Sequence, residues 1–351
     1  GREISIAGGF LSVSDLRHVL CAQNGDKEIF FEGEIYYTIN GEKVSHIKKN
    51  EYAALLSRKI SGFDVSSFVN TVEGIYNAVY IDKGKNEVVI FCDYLQRRNF
   101  FYANYNGIFT ASNNLENIIS GIGEVRYNQE GLHSYLTMGY TPAYQTLYDG
   151  IERFSVNEYV KISAGSVKNC FLEEVYSVEN YGLQNIEKYD RLISDSVISR
   201  SADTNFVLNS GGWDSTAIIF QLLQAHEASK VNSFVYETKL KDGQIYNIYE
   251  SDKVKKIADY YGIKSETIEI DFGNKSLIDD WKSLSACLKK NHTYFFVDMP
   301  KAVNDIFLKD SSASVFSGEA SDSIHNFGFS QYVSVTYPGR ALREYGDKMK
   351  R

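Results

Sequence analysis

The sequence predicts two domains: an α+β N-terminal half with layered, mostly antiparallel sheets, and an α/β half with a doubly wound parallel sheet. The chain has 351 residues, which is long for one domain if a domain has roughly 150 residues. Short strands joined by turn signals fill residues 1 to about 165, whereas strands alternate with helical segments from about residue 180. Alternation of that kind is typical of a parallel sheet. We therefore predict domains at 1–170 and 180–351.

The first half shows apolar and β-branched runs separated by turn residues. The turn signals are Asn40-Gly41, the segment 83–85 and the segment 104–107, where glycine or asparagine accepts a positive φ. The predicted strands are Glu28–Ile39, Gly74–Asp82, Asn86–Asp93, Phe100–Ala103 and Ile108–Ala111, and the predicted helices are Asn50–Lys59 and Gln129–Met138.

The second half alternates the two element types. The predicted strands are Asn205–Asn209, Val231–Tyr236, Glu266–Ile270 and Ala313–Phe316, and the predicted helices are Asn185–Ser201, Ser215–Ala225 and Glu250–Tyr261, with further helical stretches through Leu308. Ligands of such sheets bind where the loops leave the carboxyl ends of the strands. Two polar loops, 210–215 and 317–322, follow predicted strands and are expected at that edge.

Composition excludes several classes of protein. A net charge of −8 disfavours a general nucleic-acid binder, which normally has a basic face. No apolar run approaches the ~18 residues of a membrane helix, and the start has no signal-peptide pattern. The four cysteines, Cys21, Cys92, Cys170 and Cys287, form no CxxC pair, which indicates buried, reduced, structural thiols without a zinc site. We expect a cytoplasmic protein with neither nucleic-acid nor membrane partners.

The first polar loop has the features of a phosphate site. An apolar strand ends, Gly211 and Gly212 allow a tight turn and close approach of an anion, and a helix begins whose N–H groups favour negative charge. Ser210 and Ser215 add hydroxyl donors, and Asp214 is assigned to Mg²⁺, because a carboxylate beside a phosphate needs a cation between them. The alternative is an ordinary strand–turn–helix junction with Asp214 or Ser215 as its cap. No lysine follows the glycines, which excludes the common NTPase phosphate loop.

The second polar loop carries Ser317, Gly318, Glu319 and Asp322. A magnesium–triphosphate site needs oxygen ligands from more than one segment, and Asp214 together with Asp322 would supply them. The alternative for this loop is a solvated acidic turn.

These motifs, SGGWDST at 210–216 and SGEASD at 317–322, resemble the asparagine synthetase family, which includes the β-lactam synthetases and lasso-peptide cyclases. Segments 6–10, 32–36 and 135–140 extend the resemblance, more weakly, across the first half. The resemblance implies an N-terminal-nucleophile glutaminase-like domain followed by an ATP pyrophosphatase-type synthetase domain, with ATP and Mg²⁺ as cofactors.

The resemblance also implies roles for single residues. Asp214 and Asp322 would hold Mg²⁺, and Glu319 would orient or deprotonate the attacking nitrogen as the catalytic residue. The implied ATP-binding set is Leu208 and Val235 near adenine, the phosphate-loop residues Ser210, Gly211, Gly212, Asp214 and Ser215, and Ser317 and Gly318 of the second loop.

Two departures concern the end of the synthetase half. Ser323 stands where the family usually has another carboxylate, and 29 residues follow Asp322, where the family normally continues into helices with a phosphate-contacting lysine. Three alternatives remain open: the chain is a fragment, a partner protein or a second copy completes the site, or catalysis is impaired.

The glutaminase half departs from the family at two catalytic positions. Ile4 occupies the position of the nucleophilic cysteine. Glu32 replaces the asparagine that stabilises the oxyanion, and a carboxylate there would repel that charge. We predict that this half does not hydrolyse glutamine.

The predicted function is an ATP-dependent, AMP-forming ligase that adenylates a carboxylate and transfers the acyl group to ammonia or an amine. The carboxylate could be aspartate, a peptide side chain or a sugar acid. His292 and the aromatic residues 294–296 either line its pocket or serve packing. A non-catalytic ATP-binding or assembly module is the alternative. A sulfur-transfer or tRNA-modifying enzyme would instead favour a basic surface and a reactive cysteine.

Overall fold

The computed structural model describes residues 2–6, 9–13, 18–41, 43–138, 140–142, 144–163, 166–173, 183–245, 248–271, 279 and 298–318. The described residues divide into two compact units, one up to residue 188 and one from residue 189 onwards. Two units agree with the predicted number of domains, whereas the boundaries 1–170 and 180–351 stay predictions.

The first unit is built mainly from antiparallel strands. Its strands are β1 (Arg2–Ile6), β2 (Gly9–Val13), β3 (Val19–Asn24), β4 (Lys27–Asn40), β5 (Lys43–His46), β6 (Val72–Asp82), β7 (Glu87–Cys92), β8 (Phe101–Tyr105), β9 (Ile108–Ser112), β10 (Ile151–Arg153), β11 (Glu158–Ser163) and β12 (Ser166–Phe171). Its helices are α1 (Tyr52–Lys59), α2 (Val65–Thr71), α3 (Leu115–Ile122) and α4 (Gln129–Met138).

The strands of this unit form three described sheets. The largest has the order β12-β11-β7-β6-β4-β3, with β5 paired to β4, and the others are β10-β8-β9 and β1-β2. All of these pairs are antiparallel. The longest pairing, between β4 and β6, contains a register shift between Ile35 and Tyr37.

Both faces of the large sheet contribute to a core. Successive residues of a strand point to opposite faces, and Phe31 packs in a cluster with Phe68 of α2. Its neighbour Phe30 packs in a second cluster with Tyr102 of β8. Phe101, which precedes Tyr102 on β8, packs with Ile118 of α3. Helices and the smaller sheet therefore cover the large sheet with apolar side chains.

The second unit has the alternating order that its sequence predicts. Its elements are α5 (Leu183–Ile198), which begins at the end of the first unit, β13 (Asn205–Leu208), α6 (Trp213–Ala225), β14 (Val231–Lys239), α7 (Ile248–Tyr261), β15 (Lys264–Asp271), α8 (Asp298–Lys309) and β16 (Ser314–Ser317). The strand order is β15-β14-β13-β16, and each neighbouring pair is parallel.

Packing in the second unit follows the same alternation of side chains. Val207 lies in a cluster with Ile219 of α6 and Ala258 of α7. The preceding residue, Phe206, lies in a cluster with Ile306 of α8. Helices thus pack against both faces of the described sheet, which leaves the carboxyl ends of the strands for loops.

Several predicted elements differ from the observed ones in length. The strand predicted to end at Tyr236 continues to Lys239, because β15 pairs with it through Asp271. The strand predicted from Asn86 begins at Glu87, since Asn86 has a positive φ of 50° in the turn. Helix α6 begins at Trp213, two residues before its predicted start.

The described cysteines differ from the prediction in burial. Among the three described cysteines, Cys92 is buried, whereas Cys21 and Cys170 are partly buried. The prediction of buried thiols is wrong for Cys21 and Cys170, which lie in the edge strands β3 and β12 of the large sheet. Cys287 lies outside the described residues. None of the described helices has the length and hydrophobicity that a membrane-spanning segment requires.

Candidate functional site

The loop between β13 and α6 places helix N–H groups at the carboxyl edge of the sheet. Gly211 has φ of +73°, a left-handed conformation that glycine adopts without strain. Gly212 is the N-cap of α6, and no side chain caps this helix. Among the described residues, no acceptor bonds the N–H groups of Trp213, Asp214 and Ser215. Free donors with the helix dipole behind them suit an anion.

Asn209 fixes the shape of this loop. Its side chain is buried at 2% exposure, and its Oδ1 accepts hydrogen bonds from the Gly211 N–H at 2.8 Å and the Ser215 hydroxyl at 3.0 Å. Its Nδ2 donates to Ser233 Oγ on β14 at 3.1 Å. One amide thus joins both ends of the loop to the neighbouring strand.

The sequence predicts Asn209 as the last residue of a strand and does not indicate a role for it in the site. The available signal was a polar residue at the end of the apolar run Phe206–Leu208, directly before the glycines. A buried amide needs hydrogen-bond partners, so that position pointed to a structured loop.

The start of the second polar loop, Ser317 and Gly318, lies beside the first polar loop. Ser317 is the parallel partner of Leu208, so both strands end at the same edge. A Cβ added at Gly318 would lie 3.1 Å from Asp214 Cβ and 3.1 Å from the Ser215 nitrogen. The backbone of Gly318 therefore packs against the first turn of α6, and a side chain there would crowd the helix start.

Asp214 and Trp213 project outward from the first turn of α6. Trp213 is 92% exposed, and among the described residues Asp214 has neither an ion-pair nor a hydrogen-bond partner. Burial, followed by the negative charge of Asp214, raises the pKa of the Tyr189 phenol on α5. Asp214 is thus a solvent-facing carboxylate available to a cation.

The remaining predicted ATP-binding residues lie along the same edge. Ser210 is exposed, Leu208 is half-buried and Val235 is buried at 4% exposure. Val235 directly follows Phe234, which is the parallel partner of Leu208, so the two predicted adenine contacts lie on adjacent strands.

The second loop is only partly described. Glu319, Asp322 and Ser323, as well as His292 and residues 294–296, lie outside the described residues. Within the described ranges no three His, Cys, Asp or Glu side chains are grouped to hold a metal ion. The N–H groups at the start of α6 would suit a phosphate, and the exposed Asp214 carboxylate would suit a cation.

In the first unit Glu32 is held by two donors of the protein. Arg98 Nη2 lies 2.9 Å from Glu32 Oε1, and Asn113 Nδ2 lies 2.9 Å from Glu32 Oε2. The side chain of Glu32 is 17% exposed. Both oxygens accept hydrogen bonds, so this position offers a substrate no donor of its own.

Ile4, the other departure in this half, lies in β1 and pairs with Leu11 of β2. An aliphatic side chain has neither a nucleophilic atom nor a titratable proton.

Two family models match successive parts of the chain. Residues 4–176 match the glutamine amidotransferase domain, and residues 204–346 match the queuosine biosynthesis protein QueC, which is of the PP-loop ATP pyrophosphatase type. The chain combines an amidotransferase-like domain with a PP-loop ATP pyrophosphatase-like domain. No curated protein matches the chain significantly.

Solved structures with some similarity include two NAD synthetases. The NH3-dependent enzyme from Campylobacter jejuni is 19% identical, with 42% of this chain and 62% of that chain covered and a TM-score of 0.26. The glutamine-dependent enzyme from Acinetobacter baumannii, solved with ADP, is 11% identical, with 72% and 59% covered and a TM-score of 0.29.

A third solved structure is the glutamine phosphoribosylpyrophosphate amidotransferase of B. subtilis. It is 9% identical, with 70% of this chain and 72% of that chain covered and a TM-score of 0.27. Because these TM-scores are low, the assignment of the two domains rests on the family models alone.

Proposed function

We propose that the protein is an AMP-forming carbon–nitrogen ligase that activates a carboxylate as an acyl-adenylate. A carboxylate oxygen attacks the α-phosphorus of ATP, and pyrophosphate leaves. The nitrogen of ammonia or an amine then attacks the acyl carbon and loses a proton, and AMP leaves with that carboxylate oxygen. The observation that carries the proposal is the packing of Gly318 against Asp214 and Ser215, which brings the start of the second polar loop to the N-terminus of α6.

The phosphate loop is suited to pyrophosphate as a leaving group. The N–H groups of Trp213, Asp214 and Ser215 at the start of α6 have no protein acceptor among the described residues. Asn209 holds the Gly211 N–H in place. Donors that are already oriented stabilise developing charge without reorganisation, which is a major source of catalysis.

Metal and base are assigned to separate residues. Asp214, exposed at the loop, and Asp322 of the second loop would hold Mg²⁺, which neutralises charge on the polyphosphate. Glu319 would act after adenylation, by accepting the proton of the attacking nitrogen. Its substitution by glutamine should preserve ATP–pyrophosphate exchange and reduce amide formation ~10²–10⁴-fold, whereas Asp322→Asn should abolish the exchange itself. Equal loss of exchange in both variants would assign Glu319 to the metal site.

The nitrogen should come from free ammonia or an amine and not from glutamine. The position of the oxyanion donor is taken by Glu32, whose carboxylate already binds Arg98 and Asn113. Ile4 cannot act as a nucleophile.

The test is pyrophosphate release with ATP, Mg²⁺ and a panel of carboxylic acids that includes amino acids, peptides and sugar acids. One carboxylate class should stimulate release, and addition of an amine or ammonia should then yield AMP and an amide in equal amounts. ATP binding without release for any acid, in the chain and in any longer natural form, would favour the non-catalytic module instead.

A further inference from the structure

Helix α7 brings a lysine against the phosphate loop. A Cβ added at Gly211 would lie 2.7 Å from Lys253 Cβ, 3.3 Å from its Cδ and 3.6 Å from its Cγ. The aliphatic stem of Lys253 therefore runs along the loop at the residue with the left-handed backbone. The missing side chain of Gly211 gives that stem its space.

The position of Lys253 on the loop is set by packing of its helix. The next residue, Val254, has 0% exposure, and Ala258 has 1%. Ala258 belongs to the core cluster that contains Val207 of β13 and Ile219 of α6. The Cα and Cβ of Lys253 are thus anchored to the same core as the loop, while its ammonium can move on a flexible stem.

The positive charge of Lys253 is available to a ligand of the phosphate loop. Lys253 is exposed, and among the described residues it makes no ion pair. The segment 209–216 contains one charged residue, Asp214, which is negative. A polyphosphate bound there needs positive charge, and lysine binds phosphate as a mobile point charge.

We propose that Lys253 binds the polyphosphate of ATP at this loop. It replaces, from the next helix of the fold, the lysine that common NTPase loops carry directly after their glycines. The proposal rests on the proposed function, because it requires the loop to bind ATP. It also gives Gly211 a second purpose, since any side chain there would displace the lysine stem.

The experiment measures ATP and pyrophosphate affinity by titration calorimetry, with Mg²⁺, for wild type, Lys253→Met, Lys253→Arg and Lys255→Met. Lys255 is the matched control, because it is an exposed lysine on the same helix and residues two apart face different directions. Lys253→Met should weaken both ligands about 10-fold, as expected for loss of a hydrogen bond to a charged group. Lys253→Arg should retain most of the affinity, and Lys255→Met should match wild type.

Salt dependence separates a charge contact from a structural effect. Affinity for ATP should fall less steeply with salt in Lys253→Met than in wild type, because one screened ionic contact is gone. The unfolding midpoint without ligand should be unchanged, since methionine keeps an unbranched side chain at this exposed position.

Three outcomes would overturn these assignments in distinguishable ways. Wild type that binds neither ATP nor pyrophosphate contradicts the proposed function itself. Wild-type binding with equal affinity in Lys253→Met and Lys255→Met refutes the role of Lys253 alone. Weakened binding with an unchanged salt slope and a lowered unfolding midpoint assigns Lys253 to packing and also refutes its role in ATP binding.

Discussion

Replacement of Asn209 by leucine should destabilise the second unit and weaken ATP binding together. Leucine has similar size, but it removes the acceptor of the Gly211 N–H and the Ser215 hydroxyl and the donor to Ser233. A stranded buried polar group costs about 1–3 kcal/mol. Ser233 has 0% exposure, whereas the Ser215 hydroxyl keeps Gly212 O at 3.4 Å. We therefore expect a loss of about 2–4 kcal/mol in the free energy of unfolding.

ATP affinity should fall at least ~10-fold in Asn209→Leu, because a loop that must be ordered on binding loses preorganisation. Urea denaturation followed by circular dichroism gives the stability, and calorimetry gives the dissociation constant. Ser233→Ala is the control, because it strands one buried donor, Asn209 Nδ2, and leaves the acceptor of the Gly211 N–H and the Ser215 hydroxyl in place. It should cost about 1–3 kcal/mol and should weaken ATP binding less than Asn209→Leu. Asn209→Asp keeps the acceptor oxygen, so it should preserve stability better than leucine while its charge repels phosphate. Stability and ATP affinity of Asn209→Leu equal to those of Ser233→Ala would refute this reasoning.

Three further predictions concern single substitutions and glutamine. Gly262→Ala should cost about 1–2 kcal/mol of stability because its φ is positive. Gly211→Ala should cost at least as much, because its φ is also positive and its Cβ would lie 2.7 Å from Lys253 Cβ. Only Gly211→Ala should also weaken ATP binding, since Gly262 has open space around it; calorimetry with equal affinities would contradict this. Asp214→Ala should sharply weaken Mg²⁺-dependent ATP binding in the same assay, whereas Trp213→Leu, at a 92% exposed site, should not. An equal loss of ATP affinity in both variants would contradict the assignment of Asp214 to the metal. The pure chain should form no glutamate from glutamine, and Glu32→Asn should not restore it, so glutamate above a heat-killed control would disprove an inactive glutaminase site.

Turn chemistry explains why much of the first unit was predictable from the sequence. Gly41 has φ of 61°, and Asn106 and Gly107 have φ of 52° and 79°, so residues that tolerate a left-handed backbone mark the hairpins locally. Helix α4 matches its predicted range Gln129–Met138. The strands that flank these turns are predictable as well, because apolar residues alternate along them.

Short helices of the first unit were missed although their caps are visible in the sequence. Asp64 accepts a hydrogen bond from the Ser67 N–H at the start of α2, and Asn114 accepts one from the Glu116 N–H at the start of α3. Each helix has at most eight residues, which is too short for a clear helical period. Packing of Phe68 and Ile118 into the core, and not local propensity, stabilises them.

The candidate site was predictable where its residues are contiguous and not where the fold assembles it. The glycines, Asp214 and Ser215 follow one another in the sequence, so their pattern was readable. The role of Asn209 depends on Ser233 of the adjacent strand, 24 residues away. Lys253 reaches Gly211 through the packing of α7. No spacing in the sequence encodes either contact.

The most direct test of the central claim follows the carboxylate oxygen. The reaction is run with ATP, Mg²⁺, an amine or ammonia and the active carboxylate labelled with ¹⁸O, and the phosphorus products are analysed by ³¹P NMR and mass spectrometry. Formation of an acyl-adenylate predicts AMP and pyrophosphate, with one ¹⁸O transferred from the carboxylate into AMP. ADP together with ¹⁸O-labelled inorganic phosphate would show an acyl-phosphate intermediate and would contradict the account.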